Sequence, residues 1–416
     1  MHFYLQNIKI NTLKFFIFVL FFSSCKKEET AKIELFNNPV LSLDKPSNFP
    51  EFDSYNLKTN APTLVGVKIG KKLFFDKQLS RNNTISCNSC HMSAYAYGDN
   101  KHKAIGIDGR IGLRNTPPIQ NMIFLNTYMW DGAVIDLKDQ PIIPIITHEE
   151  MDSSISEVLR KVQKDDTYIK LFKRAYPDGE ITSKRILECL AQFMFTLISA
   201  NSKYDKIMRN EGVSFSAEEQ KGYLIFQQKC AFCHKEPLFT DQSFRNIGFP
   251  KNPNKIEEKG VARVSGEKDD LYKFRVPTLR NIEVTAPYGD HGQFTSLEEV
   301  LSYLDQGVEN DANLDPYLKE NGNRIPLSKE EKKYVISFLK TILLTILVCA
   351  SLAFTQCKKE DNSDPLKKEE TKPSLKDFSL SQNNVSLTKE TEQKIEITSG
   401  NNEYTFEQSE EDKKIA

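Results

Sequence analysis

Two pentads carry the chemistry of this chain: Cys87-Asn-Ser-Cys90-His91 and Cys230-Ala-Phe-Cys233-His234. Two thiols three residues apart on one helical turn reach the two vinyl groups of one haem, and the histidine that follows lies beneath the iron as axial ligand. Each pentad is therefore read as a c-type haem attachment site, giving two covalently bound haem c. A redox dithiol or half of a zinc site is the alternative for either pentad alone. A zinc site wants a second ligand pair at a recognisable distance, and the remaining histidines, His2, His102, His148 and His291, are scattered.

The start of the chain places these motifs outside the cytoplasm, where bacterial c-haem is attached. Lys9 and Lys14 precede an apolar run, Phe15 to Phe22, too short to span a bilayer. Phe22-Ser-Ser-Cys25 then reads as a bacterial lipobox, so residues 1–25 are a signal peptide and Cys25 is the lipidation site. More than one acyl chain is what stable anchoring requires. The expectation is a periplasmic lipoprotein of the outer membrane, with surface export as an alternative suggested by Lys26-Lys27-Glu28-Glu29. Residues 26–53 read as a polar tether. Near the other end, Lys340, a short apolar run and Cys357-Lys-Lys-Glu-Asp repeat the opening pattern, although Gln356 is a poor lipobox residue. Residues 341–416 are thus read as an unrelated, truncated tail, a signal-like segment and a polar, partly β stretch joined by fusion of two reading frames. A hydrophobic tail helix packed on the globule is the alternative.

The elements that position the pentads are mostly helical. The 416 residues hold 39% hydrophobic and 27% charged residues, enough for a real core, and 56 basic against 57 acidic residues argue against a nucleic-acid binder. Leu64 to Phe75 and Ile186 to Ala200 have helical apolar spacing. Ser216-Ala-Glu-Glu219 is a capping box opening a helix that runs into Cys230. Tyr334 to Lys340 reads as a closing helix, and Cys189 as a small core residue. Each half offers a helix, a pentad and a long aromatic-containing loop. The fold expected is mostly α, two cytochrome-c-like haem domains in tandem: an N-terminal one over 54–203 and a C-terminal one over 204–340.

Several longer strings carry a family resemblance. They are Ile69-Gly-Lys-Lys-Leu-Phe-Phe-Asp76, Thr84-Ile-Ser-Cys-Asn-Ser-Cys-His91, Arg114-Asn-Thr-Pro117 and Trp130-Asp-Gly132 in the first half. In the second they are Phe274-Arg-Val-Pro-Thr-Leu-Arg-Asn281, Thr285-Ala-Pro-Tyr288 and Ser296-Leu-Glu-Glu-Val300. Leu64 to Lys340, about two thirds of the chain, resembles the bacterial di-haem cytochrome c peroxidases and the MauG-type maturation enzymes. The resemblance implies that His91 is the proximal ligand of a peroxidatic haem and His234 that of a haem receiving electrons from a donor. It implies that Trp130 relays electrons between them, that Gln140, Pro144 and Glu150 form the distal pocket, and that one calcium ion lies between the domains. Asn115 matches the side-chain ligand of that calcium, with carbonyls near Arg275 to Pro277 completing the protein's share. Glu150 would move a proton between the peroxide oxygens and Gln140 would orient them. Without that frame, Glu149-Glu150 is only an acidic pair at a helix start.

The chain departs from the pattern at two ligand positions. Sixteen residues on from His91, where many relatives keep a removable histidine on the peroxidatic iron, stands Ile107, with His102 nearby as a substitute. The distal ligand of the second haem aligns with Leu304; Tyr303 beside it or His291 is the candidate. The leading reading is a peroxidase that reduces hydrogen peroxide with electrons from a small c-type cytochrome or copper protein. A MauG-type enzyme oxidising Tyr or Trp of a partner protein is the second, and a non-enzymatic di-haem carrier the third. Relatives are often homodimers, and the resemblance makes a homodimer the expectation here.

Overall fold

The computed structural model describes residues 36–52, 54–251 and 258–343, all within one unit of the chain. The signal peptide, Cys25, the first part of the tether and the tail from 344 lie outside the described residues. Helices and loops make up nearly everything, as the patterning predicts. The first half holds α1 (Ser54–Thr59), α2 (Leu64–Phe75), α3 (Ile142–Ile146), α4 (Ile155–Val162), α5 (Asp166–Ala175) and α6 (Ser183–Phe195). The second holds α7 (Lys203–Met208), α8 (Ala217–Lys229), α9 (Ala262–Ser265), α10 (Leu297–Gln306), α11 (Pro316–Glu320) and α12 (Lys329–Lys340). One two-residue antiparallel ladder joins β1 (Phe244–Arg245) to β2 (Phe274–Arg275), Phe244 opposite Arg275. No helix among the described residues is long and apolar enough to cross a membrane.

Polar caps fix where the long helices begin. Thr63 and Thr182 accept the free amides of Gly66 and Arg185 at the starts of α2 and α6. Ser216 with Glu219 and Ser328 with Glu331 form capping boxes on α8 and α12. Helix α2 packs on α6 and α8 packs on α12. Each crossing is a backbone contact at a glycine. A Cβ at Gly70 would overlap the Cys189 carbonyl, and one at Gly222 would overlap the Tyr334 carbonyl, with Phe193 and Phe338 packed beside them. Cys189 is the fully buried core residue expected. The sequence reads the α6 segment as running to Ala200, but the helix ends at Phe195 and Thr196 hydrogen bonds back to Phe193 and Met194.

The halves repeat beyond their helix pairs. Asn121 and Asn281 both take left-handed backbone, φ 59° and 58°, before a short 3-10 turn. The bridges Tyr128–Val134 and Tyr288–Phe294 close equivalent loops around Gly132 and Gly292, φ 67° and 68°.

Buried polar groups tie distant segments together, first within the second half and then between the halves. Arg280 and Asp205, both fully buried, pair through two bonds of 2.9 and 2.8 Å, and Arg280 also donates to the Pro237 carbonyl. The two repeated asparagines meet at Ser199: Asn121 bonds its backbone on both sides and Asn281 donates to its hydroxyl. Residues 36–52, read as tether, lie on this globule. Phe49 is 4% exposed and packs against Phe124 and the Arg280 guanidinium, and Asn48 donates to Asp205. The closing helix ends at Lys340, but the chain stays packed on the fold beyond it. Ile342 is fully buried, and the Thr341 carbonyl accepts the Tyr204 amide.

Two stability predictions follow. Gly222→Ala forces α8 off α12 and costs about 1–3 kcal/mol, as overpacked cores do, read as a lower denaturant midpoint of the haem-loaded protein. Asp205→Asn strands a buried guanidinium and costs about 3–5 kcal/mol in the same assay. Burial alone would raise the Asp205 carboxyl, but the Arg280 hydrogen bonds and charge hold it below its usual range. Its contribution is therefore present above the unfolded carboxylate value and is lost as pH falls through the lower folded one, so the Asp205→Asn penalty shrinks in acid.

Candidate functional site

Each pentad is a single turn with the same backbone bonds. In the first, the Cys90 and His91 amides donate to the Cys87 carbonyl; in the second, the Cys233 and His234 amides donate to that of Cys230. Ser86 and Ser89 cap the first turn. Each histidine is then oriented from behind. His91 Nδ1 lies 2.7 Å from the Tyr97 carbonyl and His234 Nδ1 3.1 Å from that of Phe239. A carbonyl can only accept, so Nδ1 carries the proton and Nε2 presents its lone pair, the tautomer an iron ligand needs. Burial lowers both histidines' pKa and keeps the rings neutral.

The thiols fit haem attachment better than redox exchange. Burial pushes Cys87 and Cys230 up to about 12 and Cys90 and Cys233 to about 11, the opposite of an activated thiolate. Among the described residues no three His, Cys, Asp or Glu side chains converge on a metal-sized site.

The first pentad opens onto an apolar cavity. Phe74 of α2 and Leu190 and Met194 of α6 line one side, so the glycine crossing also builds the pocket wall. Cys87, Cys90 and His91 line it with Gln140, Pro144 and Glu150. Gln140 lies 49 residues from His91 in sequence and Glu150 59, yet the fold brings all three to one space. Burial raises the Glu150 carboxyl above its usual range, and Glu149 beside it adds to the shift. Gln140 also approaches Met129 Sδ at 3.6 Å. An apolar slot with two thiols, a neutral imidazole aimed into it and one acid with raised pKa fits a covalent haem.

Ile107 does not line this cavity. It is fully buried, and its amide donates to the Glu150 carbonyl at 2.7 Å. His102, the substitute ligand, is elsewhere too: its Nδ1 meets the Gly292 carbonyl at 2.5 Å. Trp130 stands between the halves. Its indole donates to the Asn115 carbonyl, its own carbonyl accepts the Arg275 amide, and its ring meets Phe274 edge-on at 6.3 Å. Asn115 is buried and its side chain donates to the Lys101 carbonyl. In the second half, Tyr303 donates to the Gly248 carbonyl, and His291 Nδ1 lies 3.3 Å from the Asp290 carboxylate.

Two features around the site escape sequence reasoning. Asp131, in the Trp-Asp-Gly turn, is buried between Arg114 and Arg263, and Arg114 holds Glu258 through two bonds of 2.8 Å. Asp152 is held by Arg81 and Arg110 beside the Glu150 loop. Their partners are up to 144 residues apart, and no local pattern signals them.

Residues 65–212 match the di-haem cytochrome c peroxidase family. The methylamine utilization protein MauG of Methylorubrum extorquens is 30% identical over 324 residues, covering 77% of this chain and 90% of that one. Cytochrome c551 peroxidase of Nitrosomonas europaea is 33% identical over 281 residues, 66% of this chain and 79% of that one. Among solved structures, a MauG-like protein associated with microbial copper homeostasis superposes with TM-score 0.68 at 27% identity, covering 76% of this chain and 99% of that one. With the paired pentads, their oriented histidines and the acid-lined cavity, these likenesses identify the chain as a member of the di-haem cytochrome c peroxidase and MauG family of oxidoreductases, which carry two covalently bound haem c.

Proposed function

We propose that this protein is a peroxidase that reduces hydrogen peroxide to water with two electrons from a small exported donor, a c-type cytochrome or copper protein. The observation that carries the reading is the single cavity shared by Cys87, Cys90, His91, Gln140 and Glu150. A pure electron carrier needs no open pocket with an acid in it.

When bound, haem c supplies the redox-active iron at which the O–O bond is cleaved. The chain does the rest. His91, its Nδ1 proton tied to the Tyr97 carbonyl, would bind the iron through Nε2. Glu150 takes the proton from one peroxide oxygen and returns it to the other, which leaves as water; two electrons and two further protons complete the reduction to two waters. Its raised pKa suits it to both halves of that shuttle. The Gln140 amide orients the peroxide, and Phe74, Leu190 and Met194 exclude bulk water.

In this reading the peroxidatic haem belongs to residues 54–203 and the electron-receiving haem to 204–340, with Trp130 as relay. Trp130 bonds to both Asn115 and Arg275, which brings together the segments that this reading assigns to a calcium ion, Asn115 and the carbonyls near Arg275 to Pro277. The protein is exported to the periplasm and anchored through Cys25. A second reading, oxidation of Tyr or Trp on a partner protein, draws support from the MauG relative spanning nearly all of its own length with this chain.

Oxidised, haem-loaded protein is expected to react with peroxide before any donor is added, then to oxidise reduced cytochrome saturably. Reaction only after half-reduction would reveal a hidden distal ligand, and oxidation confined to one partner protein would favour the MauG-type reading. Glu150→Gln is expected to lower kcat/KM for peroxide by about 10²–10⁴, with two haems per chain retained in a pyridine haemochrome assay. In the parent protein the same constant falls as pH drops through a value above the ordinary carboxylate range, because the base form of Glu150 is lost; Glu150→Gln removes that limb.

A further inference from the structure

We propose that Asp152 is a positioning residue for Glu150: gripped by Arg81 and Arg110, it clamps the Thr147–Ser153 loop and holds Glu150 at the haem cavity. The inference rests on the reading of Glu150 as proton carrier.

Glu150 lies in a loop, so its aim depends on what grips the loop backbone. Three neighbours do so: the Arg81 amide donates to the Met151 carbonyl at 3.0 Å, the Ile107 amide to the Glu150 carbonyl at 2.7 Å, and Arg110 Nη1 to the His148 carbonyl at 2.7 Å. The Asp152 carboxylate then receives Arg110 Nη1 at 2.7 Å and Arg81 Nε at 3.0 Å, with His148 Nδ1 at 3.2 Å. Arg81 turns its Nη2 to Asp108 at 2.8 Å, so the charges alternate from Asp108 through Arg81 and Asp152 to Arg110.

The backbone is shaped around this clamp. Asp108 and Asp152 both have positive φ, 58° and 46°, a conformation that L-residues rarely adopt and that Asp and Asn tolerate best. A Cβ at Gly106 would overlap the Glu149 carbonyl, so the loop carrying Ile107 rests directly on the loop carrying Glu150. Arg110 above all, then His148 and Arg81, hold the Asp152 carboxyl down at about 2, which keeps it anionic while Glu150 titrates. One exposed ion pair would count for little; here two guanidinium groups share one carboxylate, and both residues also bond the loop backbone.

The test uses haem-loaded protein in four forms: parent, Asp152→Asn, Glu150→Gln and the double variant. Asn keeps the shape and tolerates the left-handed backbone, so it removes the charge alone. Asp152→Asn is expected to slow the reaction of oxidised protein with peroxide about tenfold and to speed amide exchange across 147–153. In the Glu150→Gln background it should slow the reaction no further, the non-additivity of a residue acting through another. Equal slowing in both backgrounds would overturn the assignment, as would unchanged rate and exchange. If Glu150→Gln itself has no effect, the proton-carrier reading fails, and exchange alone decides the clamp: faster exchange in Asp152→Asn keeps it, unchanged exchange overturns it.

Discussion

The structure depends on two places where a glycine lets one helix rest on the backbone of another. At Gly70 and Gly222 the approach is so close that any side chain would meet a carbonyl of the partner helix. Close backbone approach brings the flanking aromatic and aliphatic side chains into dense contact, and those contacts make the two cores. In the first half, the same crossing presents Phe74, Leu190 and Met194 to the cavity beside Cys87 and His91. Loosening the crossing would therefore alter the core and the cofactor wall together.

A second constraint is polar and lies between the halves. The amide cluster of Asn121, Ser199 and Asn281 is buried, so each group must find a partner or bear the cost of desolvation. Their directionality fixes the register of one half against the other in a way that apolar contact would not. Trp130 sits on this seam, bonded to Asn115 on one side and Arg275 on the other. The relay proposed for Trp130 would need a fixed distance to both haems, and hydrogen bonds at both ends of the residue hold it in place.

Around the first cavity, ordinary groups set orientation and one carboxylate stands apart by its environment. Backbone carbonyls set the tautomers of His91 and His234. Glu150 is the acid whose burial raises its pKa, while Asp152, two residues on, is held ionised by arginines. Two carboxylates so close in sequence thus have opposite environments, which suits the proposed division between Glu150 as proton carrier and Asp152 as its support.

Local sequence determined what local chemistry can determine. The pentads, the capping box at Ser216, the helix over Leu64–Phe75 and the buried Cys189 are all legible because each depends on residues within one or two turns of one another. The family strings added Gln140 and Glu150 as candidates, and the cavity that joins them to His91 exists only after loops some 50 residues apart converge. The tether was misleading for the same reason: its polar composition hides Phe49, whose partners Phe124 and Arg280 are distant in the chain. Arg81, Arg110 and Asp152 look like unremarkable surface charges in sequence. Only the tertiary structure decides that they share one ion network, because hydrogen bonds and charges act over a few ångströms of space and the chain between them carries no record of that distance.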